Sequence, residues 1–404
     1  LLRQILWMDK KLMDISLFFF CFKYIYSDML IHYWCPYLTN IATISSVRRS
    51  AIYLKKFDKN NELKVEIINS CGEWIDFKKN EHNINVRNLL SFNIFKILPK
   101  IKFLSKISLA VIFILSFIPL LIKIRKEKPN YLIVHLLTSL PIMLSIFFHK
   151  KTKIILRISG LPKLNYFRRT LWKLFNDKIY LVTTPTNLTR DDLINQKIFS
   201  SDKIKVLRDP IVESKKINSL KKLPIQNPFF KNNEYYLAIG RLTYQKNLIF
   251  LVNGFAKVIN KLSTKKLCII GSGEQKSQLI EIIKKNKLEK NIILLDYQKN
   301  PYNYINNCKA IISTSFYEDP GFVLIEAAYL NKLLISSNSR NGPKEMSLQK
   351  NIGFFFNPKD IMDFNNKLLE SEKYDNSNKI INSKKYVKKF STFQHYKNLI
   401  NLLN

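Results

Sequence analysis

The stretch that decides the fold runs from Ala310 to Ala328 and reads AIISTSFYEDPGFVLIEAA. A short apolar run, Ala310–Ser313, is followed by a polar loop and by a helical pattern after Pro320-Gly321. Short apolar runs between helical segments indicate buried parallel strands. Because Pro-Gly marks a helix start, the first amides of this helix have no acceptor inside it, and with the helix dipole they form an anion site.

The same alternation extends over the second half of the chain. The apolar runs predict strands at Tyr235–Ile239, Leu267–Ile270, Ile292–Leu295 and Leu333–Ser336. The amphipathic segments predict helices at Asn247–Leu262, Gln275–Leu288, Tyr302–Asn307 and Phe322–Leu330. Repeated βα units of this kind predict a doubly wound parallel sheet.

The first half repeats the pattern less regularly. It predicts a helix at Ile44–Leu54 and strands at Met29–Tyr33, Val65–Ile68, Tyr131–Val134 and Ile154–Ile158. We therefore predict an α/β fold with two Rossmann-like doubly wound domains facing each other across a cleft. The predicted parts are an N-terminal extension of unclear status (1–28), a first Rossmann-like domain (29–212), a proline-punctuated linker (213–231), a second Rossmann-like domain (232–380), and a C-terminal helical segment (381–404) with the option of crossing back to the first domain.

The chain is strongly basic, with 66 Lys and Arg against 30 Asp and Glu, a net charge of +36. Such a field suits a polyanion, including an anionic membrane face or phosphorylated substrates, although a compositional bias toward Lys explains it equally well. No short block of consecutive cations resembles a nucleic-acid arm, so nucleic acid is not predicted as a partner. Five cysteines without a C-x-x-C pair indicate a reduced, cytosolic protein.

Two apolar segments leave alternatives open. Ile107–Ile122 is uncharged but, at sixteen residues, shorter than the roughly 18–20 of a membrane span, and Pro119 is expected to interrupt it. Three interpretations of this segment are open, in decreasing order of preference: a buried helix, a helix at the membrane interface, and a helix that spans the membrane. Leu161–Phe175 combines an apolar stripe with cations and Trp172, a pattern typical of a helix lying on anionic lipid, or equally of an ordinary core-facing helix.

Glycine is scarce, with nine residues in the chain. Six of them lie mostly at strand–loop or loop–helix junctions of the second half: Gly240, Gly271, Gly273, Gly321, Gly342 and Gly353. At the first such junction, Gly240 is followed by Arg241 and Lys246, two cations that could neutralise a diphosphate or could be two surface cations. The second junction, Ile270–Glu274, resembles half of a dinucleotide fingerprint with Asp296 as a ribose-binding acid, but Lys276 occupies the third glycine position.

The third junction carries two carboxylates. Glu326 lies one to two turns inside the helix that follows Gly321, so it would repel a bound phosphate unless its oxygens faced hydroxyl donors such as a ribose diol. Glu318 lies in the loop before that helix, where it could accept from sugar hydroxyls or steady positive charge on an anomeric carbon. Two solvated carboxylates are the alternative interpretation.

Three motifs together resemble the retaining glycosyltransferases of the GT-B fold, family 4 type (glycosyl transferases group 1). They are G-R-L-x-x-Q-K-N at Gly240–Asn247, G-x-G-E at Gly271–Glu274 and E-x7-E at Glu318–Glu326. Residues 297–302 and 341–345 also resemble that family, so the resemblance covers about residues 235–360. The first half resembles it only in outline.

The resemblance implies roles for individual residues. The catalytic set would be Glu318, Arg241 and Lys246. The donor-binding set would be Gly240, Arg241, Lys246, Gly271, Tyr297, Gln298, Glu318, Gly321, Phe322, Val323, Leu324 and Glu326. The acceptor side would be lined by Asn40, His135, Arg157 and Ser159, and a buried, satisfied histidine is the alternative interpretation of His135. The chain departs from the family at Leu38–Thr43, which has no glycine, and after Ile154–Ile158, where no histidine follows.

The implied function is transfer of a sugar from a UDP- or GDP-linked donor, with retention, to a glycan or lipid-linked acceptor in surface polysaccharide or lipopolysaccharide synthesis. No cofactor is implied, and because no D-x-D motif occurs, the reaction is expected to be independent of metal. The expected location is cytoplasmic, peripheral on the inner face of the cell membrane, with an anionic membrane surface as a partner. The alternatives are an NAD-dependent oxidoreductase and a basic nucleic-acid- or membrane-binding module without catalysis.

Overall fold

The computed structural model describes residues 29–39, 41–77, 84–100, 104–160, 164–230, 234–262 and 265–404. The chain divides into two compact units. Of the described residues, the first unit comprises those from 29 to 157, from 164 to 182 and from 396 to 404, and the second comprises those from 158 to 160 and from 183 to 395. The predicted N-terminal extension, 1–28, lies outside the described residues.

The first sheet has seven strands in the order β3-β2-β1-β4-β5-β6-β7. Its strands are β1 (Met29–Trp34), β2 (Leu63–Asn69), β3 (Asn85–Asn88), β4 (Tyr131–Val134), β5 (Lys153–Arg157), β6 (Ile179–Thr184) and β7 (Ile204–Val206). β1 pairs in parallel with both β2 and β4, and β4 pairs in parallel with β5. The helices of this part of the chain are α1 (Ala42–Phe57), α2 (Ser105–Glu127), α3 (Ser139–Leu144), α4 (Tyr166–Leu174) and α5 (Asn187–Asn195).

The apolar segment predicted at Ile107–Ile122 lies within α2, which continues through Pro119. The expected interruption at this proline is therefore wrong. A line of residues spaced by four faces the protein on both sides of the proline and holds the helix in place: Ser108, Ile112, Ser116, Leu120 and Ile124. Packing thus outweighs the loss of one backbone hydrogen bond.

The second sheet has six strands in the order β10-β9-β8-β11-β13-β15. Its strands are β8 (Tyr235–Ile239), β9 (Lys266–Ile270), β10 (Ile292–Leu295), β11 (Ala310–Ser313), β13 (Leu333–Ser337) and β15 (Phe354–Phe356), and a separate short parallel pair is formed by β12 (Tyr317–Glu318) and β14 (Arg340–Asn341). The helices are α6 (Ser214–Leu220), α7 (Leu248–Val258), α8 (Lys276–Lys285), α9 (Tyr302–Asn307), α10 (Phe322–Tyr329), α11 (Gly342–Ser347), α12 (Ile361–Lys373), α13 (Ser377–Val387) and α14 (Thr392–Leu403).

Successive residues of the central strand β8 enter different cores. Tyr236 belongs to the cluster that contains Phe255 of α7, whereas Leu237 belongs to the cluster that contains Ile325 of α10. A parallel sheet covered by helices on both faces needs apolar residues at every strand position, which is why the strands appear as continuous apolar runs.

The strand order places a topological switch point at β8. The chain moves outward from β8 through β9 to β10, and then crosses to β11 on the other side of β8. In open α/β sheets, ligands bind outside the carboxyl ends of the strands at such a point. The first predicted junction follows β8, and the third follows β11, so both lie at the switch point.

The residues predicted as a linker, 213–231, contain the helix α6 and a 3-10 turn at Pro228–Phe230, and those described belong to the second unit. Ile217 of α6 is fully buried. The segment is therefore a packed part of the second unit.

Candidate active site

The first two junctions are held together through their backbones. The Gly240 amide donates to the Ile270 carbonyl at 3.0 Å, and the Leu242 amide donates to the Ser272 carbonyl at 2.9 Å. A Cβ atom on Gly271 would lie 1.8 Å from the Gly240 oxygen, and one on Gly273 would lie 2.4 Å from the Leu242 oxygen. The two glycines therefore permit a backbone approach that no other residue allows.

The third junction is joined to the first by three hydrogen bonds. Gln245 Nε2 donates to the Tyr317 carbonyl at 2.9 Å, the Phe316 amide donates to the Gln245 carbonyl at 2.9 Å, and Thr314 Oγ1 donates to the Lys246 carbonyl at 2.9 Å. Two segments more than 60 residues apart in sequence thus form one surface at the carboxyl ends of β8 and β11.

Lys246 and Glu318 form an ion pair at the centre of this surface. Lys246 Nζ donates to Glu318 Oε1, and Ser315 Oγ donates to the same oxygen at 2.7 Å. The two charged side chains are only 17% and 15% exposed. The Lys246 stem passes over Gly240, where a Cβ would lie 2.9 Å from Lys246 Cε, so the glycine gives the lysine room to reach Glu318. Since an ammonium has three donors, Lys246 can contact Glu318 and a phosphate oxygen together.

Arg241 occupies a different position. It is exposed, and its Nη2 lies 3.4 Å from Gln245 Oε1. The described contacts do not bring its guanidinium to Lys246 or to the start of α10. The structure thus brings Lys246 and Glu318 together and places Arg241 at the edge of the same surface.

Helix α10 presents free backbone donors beside Glu318. Gly321, at φ +94°, precedes the helix, and the first hydrogen bond within it is donated by the Ile325 amide to the Gly321 carbonyl at 3.2 Å. The amides of Phe322, Val323 and Leu324 therefore have no acceptor within the helix. A Cβ on Gly321 would lie 3.7 Å from Glu318 Cβ, so these donors begin next to the Lys246–Glu318 pair.

Glu326 is buried, with 8% exposure, on α10. The Tyr302 hydroxyl donates to Glu326 Oε1 at 3.1 Å, so the carboxylate is oriented by a neighbouring helix. A buried carboxylate needs such partners. Tyr302 lies in a segment that the resemblance covers, but the sequence alone did not single it out.

Tyr297 and Gln298 follow β10, two strands away from β8. Tyr297 is 69% exposed, and Gln298 Nε2 donates to the Asp296 carbonyl at 3.1 Å. The Asp296 carboxylate pairs at 2.6 Å with Lys276, the residue at the third glycine position of the dinucleotide fingerprint. The acid that a nicotinamide cofactor would need for its ribose is thus paired with a lysine.

The loop of Glu318 is fastened by residues that the sequence did not identify. Thr186 Oγ1 donates to Asp319 Oδ1 at 3.0 Å, and Thr189 Oγ1 donates to Asp319 Oδ2. Asn341 Nδ2 donates to Thr189 Oγ1 at 2.7 Å. Thr186 and Asp319 are 133 residues apart. The only local signal is that Thr186 caps α5 by accepting from the Thr189 amide at 3.2 Å.

Glu345, in the 341–345 segment of the resemblance, belongs to a buried charge cluster. Arg208 Nη2 pairs with Glu345 Oε1 at 2.6 Å, and the Asn187 amide donates to its other oxygen. Lys389 lies 3.9 Å away, and burial, followed by the positive charge of Arg208, lowers the pKa of Lys389 to about 8. Glu345 therefore has a structural role in the second unit.

The predicted acceptor-side residues have different environments. His135 and Arg157, at the ends of β4 and β5 in the first unit, are buried, and the His135 ring lies 6.1 Å from the Tyr33 ring. Ser159 is exposed, and a Cβ on the adjacent Gly160 would lie 2.8 Å from the Tyr317 hydroxyl. Ser159 thus lies near the Glu318 loop. Asn40 lies outside the described residues.

Among the described residues, one cluster has the composition of a metal site. The ligand atoms of His32, Glu66 and Glu127 lie within 4.8 Å of one another in the first unit. Lys123 pairs with both carboxylates, at 3.3 Å to Glu66 and 2.7 Å to Glu127, so an ammonium already supplies the positive charge. We interpret the cluster as an ion-pair network that holds the end of α2 to β1 and β2.

Known proteins resemble this chain in part of its sequence and in its fold. Residues 221–402 match the family model described as "Glycosyl transferases group 1". The chain is 31% identical over 245 residues to the "Uncharacterized glycosyltransferase MJ1059" of Methanocaldococcus jannaschii, covering 55% of this chain and 59% of the relative. It is 24% identical over 229 residues to the Campylobacter jejuni "N-acetylgalactosamine-N,N'-diacetylbacillosaminyl-diphospho-undecaprenol 4-alpha-N-acetylgalactosaminyltransferase", covering 54% and 58% of the two chains. The chain thus matches somewhat over half the length of these relatives.

Among solved structures, Anabaena Alr3699/HepE in complex with UDP and glucose superimposes with a TM-score of 0.67 at 15% identity, over 93% of this chain and 99% of the other. At 15% identity, this structural similarity is evidence for the fold alone. The predicted α/β fold with two parallel sheets is confirmed, and its class is GT-B. The matched region makes the second unit similar to group 1 glycosyltransferases, and the comparisons support a GT-B glycosyltransferase while giving the oxidoreductase alternative no support.

Proposed function

We propose that this chain is a glycosyltransferase that transfers a sugar from a UDP- or GDP-linked donor, with retention of anomeric configuration, to a glycan or lipid-linked acceptor. The observation that carries the proposal is the Lys246–Glu318 ion pair beside the free amides of Phe322–Leu324 at the switch point of the second sheet. A cation and a helix N-terminus on one surface suit a diphosphate.

The proposed chemistry is electrostatic. Lys246 and the amides of α10 stabilise the charge that develops on the leaving diphosphate, and preorganised donors of this kind contribute a few kcal/mol each. Arg241, at the exposed edge, adds a second cation when the donor binds. Glu318 orients Lys246 and accepts from sugar hydroxyls, and it is not assigned as a covalent nucleophile.

Glu326 is proposed to bind the donor ribose. Its Oε1 accepts from Tyr302, which orients the carboxylate, and a carboxylate accepts from hydroxyl donors such as those of a ribose. Tyr297 and Gln298 are proposed to border the nucleobase, and Gly240 and Gly271 to admit the diphosphate close to the backbone. For the acceptor side we propose Asn40, His135, Arg157 and Ser159.

We propose that the reaction needs no metal ion, because the sequence has no D-x-D motif and the cations and amides named above supply the positive charge. The proposed setting is surface polysaccharide or lipopolysaccharide synthesis on the cytoplasmic side of the cell membrane. The name of the Campylobacter jejuni relative describes an acceptor on diphospho-undecaprenol and an alpha linkage, which supports a lipid-linked acceptor and, from an alpha-linked donor, retention.

A panel of nucleotide sugars tests the proposal by thermal unfolding. A ligand present at 100 times its dissociation constant adds about 2.7 kcal/mol to the free energy of unfolding. We expect stabilisation by one UDP- or GDP-sugar, undiminished by EDTA, and none by NADH. Stabilisation by NADH alone would refute the proposal, as would the absence of any response to nucleotide sugars.

A further inference from the structure

Helix α2 in the first unit is unusually apolar for an exposed helix. It has 23 residues and is long and apolar enough to cross a membrane, yet only 28% of its most apolar 18-residue window is buried. Its buried line, Ser108 to Ile124 at spacings of four, is narrow. Leu109 and Val111 beside this line are partly buried against the same core, and the residues on the opposite side of the helix are exposed.

The sheet topology excludes a single membrane crossing by this helix. β2 precedes α2 in the chain and β4 follows it, and both pair in parallel with β1. One crossing would place β2 and β4 on opposite sides of a bilayer, whereas their shared partner requires them on the same side. If α2 contacts a membrane, it must lie in the plane of one leaflet.

The exposed face of α2 is continuous and apolar. Ile107, Ile114, Ile118 and Ile122 recur at helical spacings, and their exposed fractions range from 55% to 69%. The helix has no charged residue between Lys106 and Lys123, and exposed Arg125 and Lys126 follow at its carboxyl end. The uncharged segment has sixteen residues and spans about 24 Å of helix, so its exposed face is an apolar strip of about that length with cations at both ends.

The apolar surface continues into neighbouring elements of the same unit. α2 packs against α3, which packs against α4. Ile146 and Phe147, directly after α3, are 54% and 50% exposed, and α4 exposes Phe167 by 63% and Leu174 by 75%. Leu171 and Trp172 of α4 are buried, whereas Phe167 and Leu174 are not, so this helix leaves part of its apolar surface exposed.

Nearly all charged residues of this region are basic. From residue 96 to residue 175, the sequence contains 16 Lys and Arg and one acidic residue, Glu127. Glu127 is engaged by Lys123 and His32. Protein–protein interfaces as a whole are about as polar as the rest of a protein surface. An apolar strip with cations at its ends and almost no acidic residue instead matches the acyl boundary and headgroups of an anionic leaflet.

We propose that the exposed face of α2, together with Ile146, Phe147 and the exposed residues of α4, docks in the plane of an anionic bilayer. We call this the docking face. The purpose of this docking rests on the proposed function, since docking would bring the chain to a lipid-linked acceptor. The observations that support the docking face are independent of the donor site. The isoleucines enter the headgroup–acyl boundary, about 5–10 Å deep, and the flanking cations contact lipid phosphates.

Co-sedimentation of the full chain with vesicles tests the docking face. We expect binding to vesicles of phosphatidylcholine with 30% phosphatidylglycerol and at least about tenfold weaker binding to phosphatidylcholine alone, since each Lys or Arg near an anionic surface contributes appreciably. The double variant Ile114→Glu/Ile118→Glu should lose at least about tenfold in binding because it places charges in the acyl boundary. Arg125→Gln/Lys126→Gln should weaken binding less and reduce its salt dependence.

The matched control is Met362→Glu/Ile381→Glu, which adds two charges at exposed apolar positions of the second unit and should bind vesicles like the unaltered chain. Unchanged binding by the α2 variant, or no binding of the unaltered chain to either vesicle, would overturn the proposal. Concentration-dependent dimerisation that the α2 variant abolishes, without vesicle binding, would assign the face to a second copy instead. Thermal unfolding without lipid separates failure of this inference from failure of the proposed function. If a nucleotide sugar stabilises the chain and its α2 variant but neither result on vesicles is as expected, only the docking face is wrong; if no nucleotide sugar stabilises either, the proposed function is wrong.

Discussion

The carboxyl edges of the two sheets differ in how they hold their polar residues. At the second sheet, Lys246, Ser315 and Glu318 meet in one surface next to amides that have no acceptor within their helix, and three glycines allow the loops to approach closely. At the first sheet, His135 and Arg157 are buried near Tyr33. The difference suggests that the second edge is built for an anion, whereas the first edge holds its ionisable groups within the core.

The largest expected effect is at Lys246. Lys246→Ala should reduce sugar transfer by about 100-fold or more, because it removes the partly buried cation beside the α10 amides and leaves Glu318 without its cationic partner. Steady-state transfer rates measure this loss. The control is Lys276→Ala, which removes an exposed lysine on the same edge and should retain near-normal rates. Wild-type turnover in Lys246→Ala would remove the diphosphate assignment.

Arg241→Ala should have a smaller effect, about tenfold on transfer, because the guanidinium lies exposed at the edge of the surface. The loss should shrink as ionic strength rises, since exposed charges are screened by salt. Transfer rates at low and high salt would show this. A loss as large as that of Lys246→Ala, independent of salt, would mean that Arg241 moves into the centre of the site.

Glu326→Gln should weaken donor binding about fivefold to tenfold, because a neutral amide accepts more weakly from ribose hydroxyls than a carboxylate does. Titration calorimetry with the nucleotide measures this affinity. Tyr302→Phe, which removes the hydroxyl that donates to Oε1 of the same carboxylate, serves as the companion variant and should lower affinity by less. An unchanged affinity in Glu326→Gln would argue against ribose contact.

The smallest expected effect concerns the first unit. The interaction with His32, and then that with Lys123, lowers the pKa of Glu127 from 4.5 to about 2, although burial opposes the shift. A depressed pKa means that Glu127 stabilises the fold above its unfolded pKa, and that this stabilisation is lost as the pH falls from about 4.5 toward 2.

Glu127→Gln should therefore flatten the acid limb of the unfolding free energy, as measured by denaturant unfolding between pH 6 and pH 3. Exposed Glu289→Gln is the control and should leave that limb unchanged. An identical acid limb in Glu127→Gln and the unaltered chain would show that the network with His32 and Lys123 does not depend on this charge.

Much of the second unit could be predicted from the sequence because its signals are local. The strands Tyr235–Ile239, Ile292–Leu295 and Ala310–Ser313 and the helix Tyr302–Asn307 have the predicted bounds. Short apolar runs bounded by polar loops leave little choice of structure. In contrast, β3 (Asn85–Asn88) is a polar strand at the edge of the first sheet, and its sequence carries no periodic pattern that would indicate a strand.

The sequence by itself determined the doubly wound second sheet and its glycine-marked junctions, because each follows from periodicity or spacing over fewer than about twenty residues. The residues of the proposed donor site came from the family resemblance. Only the tertiary structure decided that Lys246 pairs with Glu318, that Thr186 and Thr189 hold Asp319, and that α2 turns one apolar face outward. Those contacts join segments that are far apart in sequence or depend on which side of a helix is covered, and chain spacing carries no information about either.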